Sequence, residues 1–407
     1  MIPRKRIDIG WADLASGVLA CMAPGDAAAV RAGMEAAWDA RASLACLSVR
    51  SGFDALLGAL TLPRGSEVLM SAVNIADMAR IIEAHGLTPV PVDLDMQTLT
   101  VSMASLTRAA TPRTRAVLVA HLFGSRMPMP ALVEFVHKNK YLLIEDCAQG
   151  DSGDGWRGEA RADVSLFSFG AVKPATALGG ALLSFRDAAL CQRVRAYMAL
   201  WPLQSRSAYL ARLLKYAALA PFGNARVFSA LVTLCRWCGV PHEKIVSGAV
   251  RGFSDDGFFA GIRRRPAPPL LRLLNRRLLQ GEQAGSVRRI ANARKLQALL
   301  RGARCIGAQA AQHRHWLFPL VHEQGDALIG HLAARGFDAA HKASSIGVLA
   351  PPPGCVPAAE ATRTFSRLIY LPAHEGMSGA DIERLADAMA EFDRQHTAQG
   401  AGALKVP

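Results

Sequence analysis

The sequence predicts an α/β fold: a mostly parallel central sheet flanked by helices, followed by a smaller α+β C-terminal domain. Three observations point there. Between residues 40 and 190, short apolar runs of strand character alternate with helical patterns, as in βαβ units. The 407 residues are 51% apolar and 6% aromatic, so the chain can bury a large core and exceeds what one simple core needs. Short strands and helices mix again between residues 305 and 390.

The strand-like runs are Glu67–Met70, Thr88–Val92, Ala116–His121, Tyr141–Asp146, Val164–Phe169 and Ala181–Phe185. Helical patterns separate them: Phe53–Leu60, opening right after Ser51-Gly52, then Ala76–His85 and Pro130–Lys138. Leu190 to Val250 reads as basic amphipathic helices with two breaks. An arginine-rich stretch follows, with Pro266-Ala267-Pro268-Pro269 as a bend ahead of a helix. Trp316–Val321, Asp326–Arg335, Ser366–Leu371 and Gly379–Phe392 form the C-terminal unit, and the tail from Gln395 reads as frayed. The expected division is 1–194, a large ligand-binding domain; 195–280, a basic helical insertion or connector; and 281–407, a small α+β domain. No internal repeat is visible.

Eight scattered cysteines form no disulfide framework, which suits a reducing compartment. Cys235-x-x-Cys238 lacks the second pair that a structural zinc site would show, so no metal is expected. Asp8, Trp11 and Asp13 interrupt any apolar core of a secretory signal, and no run reaches the roughly 18 apolar residues of a spanning helix. The expected location is cytoplasmic. The net charge is +14, and from Arg251 to Arg304 thirteen Arg or Lys face three acids. Such a stretch suits a diphosphate-bearing substrate or anionic lipid, or is simply a set of solvated helix faces. No helix-turn-helix, zinc-finger or RNA-recognition motif accompanies it, so nucleic acid is not expected as a partner.

Ligands of parallel sheets lie beyond the carboxyl ends of the strands. Asp146 and His121 each close a strand there. Lys173 follows the apolar strand Phe167-Ser168-Phe169, with Pro174 and Gly179-Gly180 after it. A lysine and a carboxylate so placed can hold pyridoxal 5'-phosphate. The amine forms a Schiff base with the aldehyde, and the acid keeps the pyridine nitrogen protonated. Taken alone, Asp146 also reads as a helix N-cap and Lys173 as a solvated loop lysine. Gln149, three residues beyond Asp146, can reach the ring's phenolic oxygen. The amides of Gly52 and Phe53, at a helix start, and the hydroxyl of Ser168 offer a phosphate site.

Ser51-Gly52-x-Asp54-Ala55-Leu56-Leu57, His121-Leu122-Phe123-Gly124, Glu145-Asp146-Cys147-Ala148-Gln149, Phe167-Ser168-Phe169 leading to Lys173, Gly179-Gly180-Ala181 and Leu371-Pro372-Ala373-His374 occur in one order. In that order and spacing the chain resembles the DegT/DnrJ/StrS aminotransferases, fold-type I enzymes of pyridoxal phosphate, many of which aminate nucleotide-linked keto sugars. The resemblance implies Lys173 as the lysine that binds the cofactor, Asp146 as the partner of the ring nitrogen and Gln149 as the ring-oxygen contact. It implies Ser168, Gly52 and Phe53 as phosphate ligands. It also implies a homodimer. Lysine at 173, where the dehydratase branch looks to have histidine, favours transamination. Three departures mark a divergent branch. Val73-Asn74-Ile75-Ala76 puts Ile75 where an aromatic usually stacks on the ring. The loop after Lys173 is shortened. The Asn-Tyr-Arg motif that reaches a neighbouring subunit's phosphate is not recognisable; Ile262-Arg263-Arg264 falls near its register, so either an arginine takes over that contact or the site is altered.

The expected activity is therefore transfer of an amino group from an amino acid, glutamate by resemblance, to a keto acceptor such as a nucleotide-linked keto sugar, in sugar biosynthesis. Two alternatives stay open. One is another pyridoxal reaction on a non-sugar or lipid-linked ketone, with the stretch Tyr209 to Arg236 resting on a membrane as a peripheral contact. The other is a regulatory homologue without turnover. His121 is the best candidate among His121, His313, His315, His341 and His374 to touch substrate.

Overall fold

The computed structural model describes the chain except residues 40, 251, 254–255, 282–283, 301–304, 342–344 and 403–407. Seven strands make the central sheet: β1 (Ala42–Cys46), β2 (Glu67–Ser71), β3 (Thr88–Val92), β4 (Thr114–Ala120), β5 (Leu142–Asp146), β6 (Val164–Ser168) and β7 (Ala181–Phe185). Their spatial order is β1-β7-β6-β5-β4-β2-β3. From β6 to β3 every neighbouring pair is parallel, and β7 runs antiparallel to both β6 and β1. The expected strands are all present. β1 is the addition, formed by pairing with β7.

Both faces of the sheet are covered, so its strands read as continuous apolar runs rather than alternating ones. Val68 and Met70 pack on one face with the helices Val49–Leu60 and Ala76–Ala84. Leu69, Val117 and Val119 pack on the other with the helix Pro130–Asn139. The registers align the strand ends, with Ala120 opposite Asp146 and Ser71 opposite Val92. The crevice beyond β2, β4, β5 and β6 is thus one continuous edge.

The helix Val49–Leu60 starts before the Ser51-Gly52 pair. Ser48 is its N-cap, with the hydroxyl accepting from the Ser51 N–H at 3.1 Å. Gly52 already sits in the first turn and donates its N–H to the Ser48 carbonyl at 3.0 Å. Its lack of a side chain has a packing reason. A Cβ there would come within 2.6 Å of Leu183 on β7.

In the C-terminal part, β8 (Phe318–Val321) pairs antiparallel with β9 (Leu368–Leu371). They share an apolar cluster with the helices Ala284–Leu299, Gly325–Ala334 and Gly379–Gly402. That last helix runs past Gln395, where a frayed tail was expected. The first residues of the chain cross to this part: the Ile2 N–H donates to the Gly336 carbonyl at 2.7 Å, and Arg4 Nε to Asp338 at 3.0 Å. No single helix among the described residues is long and apolar enough to cross a membrane.

Most of the described cations of the arginine-rich stretch are bonded within the chain. Arg276 and Arg277 hold Asp13 of the first helix at 2.9 and 2.8 Å. Arg289 holds Asp151 at 2.7 Å, and Lys295 holds Glu383 at the same distance. Arg272 donates to the Pro24 carbonyl and Arg265 to that of Trp201. These cations brace distant segments, so the expected diphosphate patch is not what most of them form. Arg251, Asp255, Glu282, Arg301 and Arg304 of that stretch lie outside the described residues.

Candidate active site

β5 delivers Asp146 to the carboxyl edge of the sheet, buried at its end. One carboxylate oxygen accepts from the Ala148 N–H at 2.9 Å. Burial raises its pKa, opposed by that hydrogen bond and by the nearby charge of Lys173. β6 delivers the loop that carries Lys173. The Lys173 N–H donates to the Gly170 carbonyl at 2.9 Å, and the Thr176 hydroxyl donates to the same oxygen at 2.8 Å. Ala175 and Leu178 adopt left-handed backbone at φ 51° and 61°. Phe123 and His315, which border the loop's surroundings, are left-handed too, at 56° and 49°. Each such non-glycine residue costs on the order of 1–3 kcal/mol and persists only where the surroundings over-determine it.

The Lys173 ammonium lies 3.7 Å above the Trp316 ring. The indole N–H of Trp316 donates to the Val172 carbonyl at 2.8 Å, locking the ring under the loop. Burial brings the amine down to about 7 from its ordinary 10.5, with Asp146 pulling it up and Arg50 pushing it down. Lys173 and Asp146 therefore share one electrostatic environment, although they are separated along the chain. Lys5, from the N-terminal segment, stands over the same Trp316 ring at 4.6 Å. Burial, then repulsion from Lys173 and Arg4, holds its pKa well below the usual lysine range.

Beneath Asp146 runs a buried polar relay. His121 Nε2 donates to Glu145 at 2.8 Å, and His121 Nδ1 accepts from the Met127 N–H at 3.0 Å. These partners set the neutral Nε2–H tautomer. Glu145 also accepts from the Ser165 hydroxyl at 2.7 Å and the Glu159 N–H at 2.9 Å. Burial works against its ionisation, but the hydrogen bonds from His121, Ser165 and Glu159 outweigh it and keep its pKa low. His121 is fully enclosed with both ring nitrogens occupied, so it orients the strand end beside Asp146 and is not a substrate contact. Cys147 lies within ligand distance of this pair.

The other expected site residues fall as follows. Gln149 is buried and accepts from the Phe123 N–H at 2.9 Å through its carbonyl, which leaves its NH₂ to donate. Ser168 ends β6, half-buried, with its hydroxyl 3.4 Å from the Gly170 N–H. Ile75 is half-buried at the end of a short strand, Val73–Ile75, that pairs with Ile346–Val348. Phe53 points into the core. The Gly52 N–H bonds the Ser48 carbonyl within the first turn of the helix. Arg263 holds the buried Asp54 of its own chain through two contacts, at 2.8 and 3.0 Å, beside His85 at 3.0 Å. Arg264 is exposed, with its Nε donating to the Ala260 carbonyl at 3.2 Å.

Sequence reasoning gave no role to Trp316, Lys5, Arg50 or Glu145. Glu145 stood inside a quoted motif and Arg50 next to one; Trp316 and Lys5 carried no site signal. The cleft beside Lys173 is lined by Lys5, Arg6, Asp8, Arg289, His374 and Glu375.

The residues suit pyridoxal phosphate. A buried carboxylate has one oxygen without a hydrogen-bond partner among the described residues, a lysine amine lies near neutrality, and a buried Asn74 amide nitrogen beside Ile75 is unsatisfied. Residues 35–205 match the profile of the DegT/DnrJ/EryC1/StrS aminotransferase family. Over 151 residues the chain is 34% identical to a UDP-N-acetyl-3-dehydro-alpha-D-glucosamine 3-aminotransferase of Acidithiobacillus ferrooxidans. That stretch is 36% of this chain and 41% of the relative, so the match spans less than half of that protein. The aminotransferase TlmJ from Streptoalloteichus hindustanus superposes with a TM-score of 0.70 at 21% identity, over 98% of this chain and 100% of that one. The sugar aminotransferase CalS13 from Micromonospora echinospora gives 0.66 at 20% identity, over 96% and 99%. These likenesses show the fold, that of the fold-type I enzymes. Over residues 35–205 the chain is thus similar to the DegT/DnrJ/EryC1/StrS aminotransferases, a family of pyridoxal-phosphate enzymes.

Proposed function

We propose that this protein is a pyridoxal-phosphate-dependent aminotransferase. It moves an amino group from an amino acid, glutamate, to the keto group of a nucleotide-linked sugar. The observation that carries this is the Lys173 amine, near pKa 7 and electrostatically coupled to the buried Asp146 at the carboxyl edge of a parallel sheet. Bound pyridoxal phosphate would supply an electron-withdrawing ring. Asp146 would keep the ring nitrogen cationic, as an opposite charge close by favours the charged form. The Gln149 NH₂ would donate to the ring's phenolic oxygen. Lys173, neutral near physiological pH, would hold the cofactor and then carry a proton to and from the substrate carbon. Ser168 and the start of the helix Val49–Leu60 would meet the phosphate. Glu145 and His121 act through Asp146, as positioning residues.

Arg6 and Arg289 in the lining of the cleft suit an acceptor with phosphate groups. The name of the Acidithiobacillus relative suggests the acceptor to try first. Arg264 on a second copy of the chain is the candidate to complete the phosphate site, within a homodimer. The test is turnover of glutamate with UDP-N-acetyl-3-dehydro-glucosamine by the cofactor-loaded protein, following the oxo acid and the aminated sugar. Lys173→Ala should form neither. A loaded wild-type protein whose visible absorbance glutamate leaves unchanged would refute transamination.

A further inference from the structure

We infer that the helices Arg206–Leu219 and Ala225–Trp237 dock the protein on an anionic phospholipid surface. Between Asp187 and Glu243 the chain has seven Arg or Lys and no acid. A water-facing surface normally interleaves both signs. The helix Ala225–Trp237 buries Phe228, Val232 and Cys235 against the protein. Its opposite face sets Val227, Leu234 and Trp237 in water, Trp237 being 84% exposed. Arg226 and Arg236 flank that stripe, exposed and without an ion pair among the described residues. Leu214 and Lys215 repeat the pairing on the first helix. Exposed apolar side chains with cations beside them, on helices whose other face is occupied, are the chemistry of an interfacial element.

The two helices together are apolar enough to span a bilayer, but they meet at 98° and each buries one face in the protein. They therefore lie on the surface rather than cross it. The bend sits close to the proposed site. A Cβ at Gly223 would lie 3.3 Å from Arg6, and Arg6 lines the cleft beside Lys173.

The test is flotation of the full chain with phosphatidylcholine vesicles, with and without phosphatidylglycerol, and needs no turnover. Binding is expected only with phosphatidylglycerol and should weaken as salt rises. Arg226→Glu and Arg236→Glu should each lower the partition coefficient at least about fivefold, and Trp237→Asp should abolish flotation while Trp237→Phe retains it. Equal binding to neutral vesicles, no binding to either, or a Trp237→Asp protein with an altered sedimentation mass (the face being a subunit contact) would each overturn the inference.

Discussion

Titrating the capture of pyridoxal phosphate by Lys173 tests the site most directly. An ordinary lysine has a pKa of 10.5, and burial brings this one to about 7. The difference amounts to about 5 kcal/mol disfavouring the ammonium. At pH 7 it raises the neutral, nucleophilic fraction on the order of a thousandfold. The sign follows from the base form: below the folded pKa the amine is protonated and cannot attack, and above it the amine is free. Stopped-flow absorbance of the apoprotein mixed with cofactor should therefore give a rate that rises through pH 7 and levels by about pH 8. Asp146 favours the ammonium, so Asp146→Asn should move the midpoint lower still. Lys173→Arg should show no visible band at any pH. A midpoint near 10, or one that Asp146→Asn raises, would mean that the amine is solvated or lies away from Asp146, and would refute the proposed site.

Trp316→Leu removes the ring beneath the Lys173 and Lys5 ammonium groups. A desolvated cation–π contact is worth about 1–2 kcal/mol, so the same titration should shift down by about one pH unit. Glu145→Gln leaves one of the three donors around Glu145 facing an amide NH₂, which should cost about 2–4 kcal/mol in urea unfolding. The depressed folded pKa of Glu145 makes its stabilisation present above the ordinary carboxylate range and lost as pH falls through the folded value, so the two proteins should converge in acid. Arg263→Ala leaves the buried Asp54 with His85 alone. The expected loss is about 2–3 kcal/mol, the partial exposure of the guanidinium trimming the usual cost of breaking a buried pair. Phosphate retention in that variant should be unchanged, as measured by cofactor dissociation, because Arg263 is a brace within its own chain.

Much of the scaffold was legible along the chain because the signal is local. Apolar runs such as Val164–Phe169 and Ala181–Phe185 are too short for helices and are bounded by glycine or acid, and each became a strand within a residue of the expected ends. Asp146 and Lys173 stood out because each ends or follows such a run. Helix ends were less clear. Phe53–Leu60 was placed late because the apolar pattern begins after the hydrophilic first turn, whereas the helix is opened by the Ser48 cap.

The order of types along the backbone settled the parallel sheet, the carboxyl edge where chemistry can occur, and the acid and amine that stand there. Partnerships between charges and rings came from packing alone. Arg263 on Asp54, Arg277 on Asp13, and Lys5 with Lys173 over Trp316 join segments remote in the chain. A count of neighbouring charges cannot show such partners, because Coulomb and desolvation energies depend on distance and burial in three dimensions, which only the folded chain sets.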